Sequence, residues 1–460
     1  MRFGRWPTRL LFWGIGTMRP RDRVTVPPGA IPEVESLRAA LRPWCDGEVA
    51  LDRLELSHLT VGPRGPVRLL LEGPGPDGKV VRLAARRLGP TEGSRVASEM
   101  NRGDGGGAGE RRGFAQPAIY VPELELLFHV FPTDRDLPSL PAAVDGRTMA
   151  PILEARLAAR TGGCRVRDVV VECLRYKPER KCLLRYDIRW ASGEPTRCPA
   201  VVFARVARRS KFERSRDVLP GLHAAAAGLL FRLPEPLGVV AELGMALFGP
   251  VPGIRLFLLT RTEDFPALCE RTGLGLAEFH ALPITFADER DTAAKVASII
   301  ASAAEFTWLL PAQRARIAAL RRELVVRLEA IPASRLRPIH GDFHGDNVLV
   351  DGARLALVDL EDCAMGDPAD DVGSNWAQLT WHTIKAGRSA PIPGAGRRAF
   401  LDAYLGRTNA ETAARVPVHA AMHCFLYAFQ CLRHPQDADR YDDAEAMLGA
   451  CEDVLAGRLP

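Results

Sequence analysis

Three oxygen-bearing side chains, Asp342, Asn347 and Asp359, stand in order within RPIHGDFHGDNVLVDGARLALVDLEDCAMGDPADDVG, residues 337–373. Around them run apolar stretches, NVLV and LALVDL, of the kind that enters a core. An unpaired carboxylate is costly there, so acids at this density imply a bound cation or an open loop mouth. The turn pair Asp351-Gly352 between two β-forming runs predicts a hairpin. A hairpin brings Asp359 back beside Asn347, and an amide oxygen next to a carboxylate makes half a shell for a hard cation. Mg²⁺ suits such a site, because it takes one or two protein ligands and fills the rest with water and phosphate oxygens. Asp342, in the loop before the first strand, would then orient and deprotonate an acceptor hydroxyl. An Asp, an Asn five residues on and a later Asp on the returning strand are the parts of phosphoryl transfer. Glu361 is a further candidate near the metal or the acceptor.

The rest of the chain must hold these residues in place. Its 460 residues allow two or three domains and a sizeable core. The formal charge of +5 comes largely from scattered Arg with no basic block, so no nucleic-acid partner is expected. Ten cysteines without a CxxC pair read as free thiols of a reducing cytoplasm, not a zinc site or a disulfide framework. The apolar run Leu10 to Met18 is too short to span a bilayer, and Arg19 stands where a cleavage site would need a small residue. Residues 1–19 are therefore read as a mis-assigned start, a disordered segment or a weak membrane-surface anchor, and no stable membrane span is expected. Oligomeric state is not readable.

Residues 20–148 mix short β-like runs with loops and form an N-terminal extension of unassigned role. The glycine-rich NRGDGGGAGERRG, 101–113, reads as a surface loop. MAPILEARLAAR (149–160) has helical spacing, and VRDVVVEC (166–173), CLLRYDIRW (182–190) and PAVVFARV (199–206) read as strands, with ASGEPT turning between the last two. Beyond about 215 the chain is mostly helical, with runs at 293–306, 312–331, 395–406, 417–432 and 441–456, and the hairpin is an island of strand among them. No internal repeat is visible.

HGDFHGDNVLVDG followed by LVDLEDCAMGDPADDVG resembles the aminoglycoside phosphotransferase and choline kinase-like family. His340, Gly341, Asp342, His344 and Asn347 match its loop, Asp359 and Glu361 its Asp-x-Glu/Asp step, and Asp367, Pro368 and Asp371 its Asp-Pro-x-x-Asp tail. GLAEFHAL (275–282) is similar to the family's helix ending in Leu/Phe-His. The resemblance spans about 150–455 and implies an α+β, two-lobed protein-kinase-like fold, ATP as the phosphoryl donor and Mg²⁺ as its partner. The lobes would be 149–250, small and β-rich, and 251–460, mostly helical.

The nucleotide end departs from the pattern. The turn LRYKPERKCL (174–183) has no GxGxxG, and Lys177, Arg180 and Lys181 are its candidates for phosphate contact. Arg205 stands where the family carries a Lys, and this planar, permanently charged group is not equivalent to an ammonium. Glu213 is the available carboxylate partner for it. Val251-Pro252-Gly253 fits the hinge. Residues 359–371 hold acids that suit a cationic amino-alcohol acceptor unless metal and bracing use them, so aminoglycoside, choline-like, sugar and amino-acid acceptors all stay open. Asn375, Trp376 and Trp381 are candidate pocket residues, and His280 reads as a packed helix residue.

The expected function is ATP- and Mg²⁺-dependent phosphorylation of a small-molecule hydroxyl. The alternative is a pseudokinase-like binding module, motivated by Arg205 and the unusual turn. A metal-dependent hydrolase, with His340-x-Asp342-x-His344 as ligands and His382, His419 or His423 in support, is the third reading.

Overall fold

Along the strand Lys181–Trp190, every second residue from Cys182 to Ile188 is buried, and Val202, Ala204 and Val206 continue that face on the neighbouring strand. Period-2 alternation puts Lys181 and Leu183 on the opposite face. Arg205 pairs with Leu183, so Arg205 and Lys181 share that face two positions apart. The buried face packs on Met149, Leu153 and Leu157 of the helix Gly146–Thr161. The open face looks toward the helical half of the molecule. That single alternation aims the two cations at the site.

The computed structural model describes residues 33–60, 68–75, 78–102, 113–161, 165–191, 200–332, 335–387, 394–435 and 437–458. The segment 1–19, most of the glycine-rich loop and the ASGEPT turn lie outside them. The architecture is α+β. An N-terminal sheet is built from β1 (Glu55–Thr60), β2 (Arg68–Pro74), β3 (Val80–Arg87), β4 (Ala118–Val121) and β5 (Leu126–Val130), in the order β1-β2-β3-β5-β4. A second sheet contains β6 (Val166–Lys177), β7 (Lys181–Trp190), β8 (Val201–Ala207), β10 (Pro236–Val240) and β11 (Met245–Phe248), in the order β10-β11-β8-β7-β6. The short β9 (Phe231–Arg232) leaves this lobe to pair with the strand Arg354–Leu357 of the helical half.

Read in chain order, the two sheets have the same topology. Each sends three antiparallel strands into a helical connection, then returns as an outer strand and an inner strand. Each return passes through a 3-10 turn, Pro122–Leu124 or Ala241–Leu243, that ends on a left-handed residue, Glu125 (φ 51°) or Gly244 (φ 57°). Arg86 pairs with the second residue of β5, and Arg205 with the second residue of β11, so the two arginines are equivalent in register. The expectation of no repeat is corrected at this level. Only VPEL (121–124) against VAEL (240–243) carried a trace of it in sequence. Leu70 and Ala84 of the first sheet join the core of the second, so the two pack together.

The helical lobe contains Phe265–His280, Thr292–Leu309, Arg314–Glu329, Pro368–Gly387, Ala395–Leu405, Ala410–Cys431 and Arg440–Leu455 around one apolar core. Phe343, from the loop before the hairpin, is fully buried there between Phe231 and Phe400, with ring centroids at 6.1 and 6.5 Å. Cys182, Cys269, Cys363, Cys424, Cys431 and Cys451 are buried free thiols. Among the described residues no helix is long and apolar enough to cross a membrane.

Candidate active site

The strands Val348–Asp351 and Arg354–Leu357 pair with Asp351 opposite Arg354, so the turn is Gly352-Ala353, one residue later than the sequence suggested. Gly352 has φ 56°, which a glycine adopts without strain. At the open end the Val358 amide donates to the Asn347 carbonyl at 2.9 Å, which sets Asn347 next to Asp359. Asp359 is itself left-handed, with φ 62°. The Asn347 amide nitrogen donates to the Asp342 carbonyl at 2.9 Å. Its Oδ1 has no donor among the described residues and stays available to a cation.

Asp371 holds the loop from below. Its oxygens accept the amides of His340 (2.6 Å) and Gly341 (2.9 Å), and His280 Nε2 lies 3.1 Å away. His280 is tied in turn to the Tyr404 hydroxyl at 2.8 Å, so this helix residue braces the loop. His340 Nε2 contacts the Val358 carbonyl at 3.0 Å, and its Nδ1 accepts the Asp342 amide at 3.3 Å. Both ring nitrogens are engaged, which leaves His340 no lone pair for a metal. Among the described residues no group of three His, Cys, Asp or Glu is arranged for a metal ion. Gly341, at φ 78°, is required, because a Cβ there would lie 2.3 Å from the Asp362 carbonyl.

Asp342 projects into the cleft with its side chain 51% exposed, although protein surrounds it on most sides. Burial pushes its proton affinity up, but His344, 3.7 Å away, outweighs that and holds the carboxyl well below the usual range. Asp359 is held low too. Burial opposes this, while Glu361, Lys181 and Arg205 favour the carboxylate.

Lys181 Nζ lies 3.2 and 3.4 Å from the two Asp359 oxygens and also contacts Glu361, whose other oxygen takes Arg205. Glu361 was expected at the metal, yet both its oxygens are engaged by these cations. Glu213 is not brought to the site. It pairs with Arg216 at 3.1 Å on its own helix, and Glu361 is the partner of Arg205 instead. Lys211 and Asp362, which sequence reading missed, bind each other at 2.6 Å and link the lobes beside this pair.

The turn over the site runs Lys177-Pro178-Glu179-Arg180, closed by a 3.1 Å bond from the Arg180 amide to the Lys177 carbonyl. Pro at the second position and φ 59° at the third make it a type II turn, where glycine is usual. Glu179 is retained because it is clasped by the N-terminal extension. Its amide donates to Asp134 at 2.9 Å, and its carboxylate meets Arg68 (3.1 Å) and Arg86 (3.4 Å). The Tyr176 hydroxyl donates to the same Asp134 oxygen at 2.6 Å. Asp134→Ala would strand both donors in a buried place and is expected to cost about 1–3 kcal/mol, measured as a lower urea midpoint at unchanged slope. Arg180 is exposed, and Lys177 is half-buried without an ion-pair partner among the described residues.

The acids that suited a cationic acceptor are committed. Asp362 also meets Arg290 (3.4 Å). Asp367 meets Arg415 (3.8 Å) and His419 (3.5 Å), and Asp370 meets Lys295 (3.5 Å) and His423 (2.7 Å). Asn375 and Trp376 are core residues, and Trp381 lies under the Lys385 ammonium at 4.6 Å.

Residues 195–415 match the model of the Phosphotransferase enzyme family. No curated protein matches the chain. Among solved structures, a choline/ethanolamine kinase family protein from Mesorhizobium loti is similar at 18% identity and TM-score 0.41, over 68% of this chain and 100% of that one. An aminoglycoside phosphotransferase, crystallised with AMP-PNP and hygromycin B, is similar at 17% identity and TM-score 0.44, over 66% of this chain and 98% of that one. A macrolide 2'-phosphotransferase from Brachybacterium faecium is similar at 18% identity and TM-score 0.39, over 65% and 97%.

Proposed function

We propose, from the match of residues 195–415 to the Phosphotransferase enzyme family model, that the protein transfers the terminal phosphoryl group of ATP to a hydroxyl of a small molecule, with Mg²⁺. The observation that carries this reading is the hairpin mouth, where an ionised, accessible Asp342, an unclaimed Asn347 Oδ1 and the Asp359 carboxylate are held by one loop.

The donor set fits a hard cation, and Asn347 and Asp359 would hold it. Lys181 already supplies positive charge to Asp359 in this structure. A Mg²⁺ held by Asn347 and Asp359 would supply positive charge to offset that of the phosphates. Asp342 accepts the acceptor's hydroxyl hydrogen and orients its oxygen. Its low proton affinity suits a group that mainly positions, in keeping with a loose transfer that needs little prior deprotonation. Arg205 and Lys181 meet phosphate oxygens from the open face of the second sheet, with Glu361 fixing Arg205. Lys177 and Arg180 approach from the turn above. ATP as donor and free thiols fit the cytoplasm.

The Arg205–Glu361–Lys181 cluster also favours a second reading, a nucleotide-binding module that does not transfer phosphate. Thermal denaturation with ATP, with and without Mg²⁺, separates the possibilities. Ligand at about 100 times its dissociation constant stabilises by about 2.7 kcal/mol, and Asp359→Ala is expected to lose the Mg²⁺-dependent part. Absence of any shift at saturating nucleotide in the parent chain would sink both readings. A shift without turnover on any hydroxyl acceptor selects the second.

A further inference from the structure

On β2 and β3 of the N-terminal extension, period-2 alternation gives one face to contact with the second sheet. Along that face Arg68 stands opposite Arg86, Leu70 opposite Ala84 and Glu72 opposite Arg82. The middle pair joins the core of the second sheet. At one end Arg82 donates to Glu72 at 2.7 Å and to the Cys173 carbonyl of β6 at 3.4 Å. At the other end two like charges face each other, an arrangement that destabilises a strand pair. The Glu179 carboxylate offsets it by meeting both Arg68 and Arg86.

Glu179 carries two costs of its own. Its φ of 59° is one that glycine takes freely. Its side chain is buried, where a carboxylate needs a partner. The extension supplies that partner, and it also fixes the backbone. Asp134 accepts the Glu179 amide on one oxygen, while its other oxygen accepts the amides of Asp136 (2.8 Å) and Leu137 (3.0 Å). A turn that only had to reverse the chain would need none of this. A left-handed residue held so firmly marks a place where position matters.

The transfer site follows directly from the turn. Lys181, two residues after Glu179, opens β7 and reaches Asp359 at 3.2 Å. On the other edge of the turn, the Arg208 amide donates to the Arg180 carbonyl at 3.2 Å. The extension is also fastened to the helical lobe. There the Leu59 amide donates to the Arg433 carbonyl at 3.3 Å, and Trp308 packs against the cores of both the first sheet and that lobe. The extension therefore touches both the part that bears the turn and the part that bears Asn347 and Asp359.

Resting on the phosphotransferase reading, we propose that the N-terminal extension positions the phosphate-binding side of the transfer site, with Arg68 and Arg86 acting through Glu179 on the turn 177–180 and on Lys181. This turn has no glycine to let it close over a nucleotide, so its place is set before binding. Affinity for the phosphates then depends on the extension, because a group already in place loses little freedom when its ligand arrives.

The test compares the full-length parent, Glu179→Gly and the double variant Arg68→Gln/Arg86→Gln. Titration calorimetry, well below the unfolding temperatures, measures AMP-PNP with Mg²⁺ and, separately, adenosine. Glycine is usual at this turn position, so Glu179→Gly keeps the turn and the amide that Asp134 accepts, and removes only the carboxylate. The dissociation constant for AMP-PNP should rise roughly tenfold in both variants. Adenosine, which has no phosphate, should bind all three proteins alike. The two arginine side chains are 42% and 25% exposed, so the double variant carries the test if Glu179→Gly fails to fold. Unchanged AMP-PNP binding in a folded variant, or equal weakening of AMP-PNP and adenosine, overturns the proposal and spares the phosphotransferase reading. A parent chain that does not bind AMP-PNP removes that reading and this proposal with it.

Discussion

Asp342→Asn is expected to lower turnover by about 10²- to 10⁴-fold while leaving nucleotide-induced stabilisation intact. The substitution preserves shape, and the backbone bonds that hold the loop, from His340 and Gly341 to Asp371 and from Asn347 to the Asp342 carbonyl, do not involve the Asp342 side chain. What is lost is the negative acceptor that orients a hydroxyl. The carboxylate sits well below the usual range because His344 outweighs its burial. A depressed carboxyl is ionised above its folded pKa, so its role disappears only as pH falls through that low value. The parent enzyme should therefore show no acid limb from Asp342 between about pH 5 and pH 8, a span above the ordinary Asp value. Steady-state rates across that range, measured beside thermal denaturation with ATP, check both parts. Full turnover in Asp342→Asn would remove the assigned role.

Phe343→Ala is expected to destabilise the protein by about 3–5 kcal/mol, a large part of a typical stability of about 5–15 kcal/mol. Phe343 is the apolar residue of the HGDFH segment, and it is fully buried. Its ring lies among Phe231, which reaches in from β9, Phe400 and His340, the last at 5.9 Å. Truncation would leave a cavity beneath the loop that carries Asp342. Urea unfolding should show a lower midpoint at constant slope, and the remaining folded protein should turn over more slowly because the neighbouring Asp342 is less well held. A loss below about 1 kcal/mol would mean that the pocket collapses around the smaller side chain.

The two predictions divide one short segment into a chemical residue and a residue that fixes it, and that division was partly legible in sequence. Asp342, Asn347 and Asp359 could be named because their function depends on spacing along one hairpin, a local property. The same holds for most helices of the second lobe: the spacing at 441–456 answers to the helix Arg440–Leu455. The choice between Glu213 and Glu361 for Arg205 was not legible. Glu213 is near in sequence, but its helix turns it toward Arg216, and the two lobes bring Glu361 across a separation of 156 residues.

Sequence alone thus determined the order of the chemical groups and the helical texture of the second half, because each depends on spacings of a few residues. Tertiary structure decided the rest. It tied Asp134, Arg68 and Arg86 to Glu179, repeated the five-stranded topology with almost no shared sequence, and spent the acids of 359–371 on internal partners. Contacts between distant segments follow from how faces pack, and no local pattern records which buried charge will find which partner.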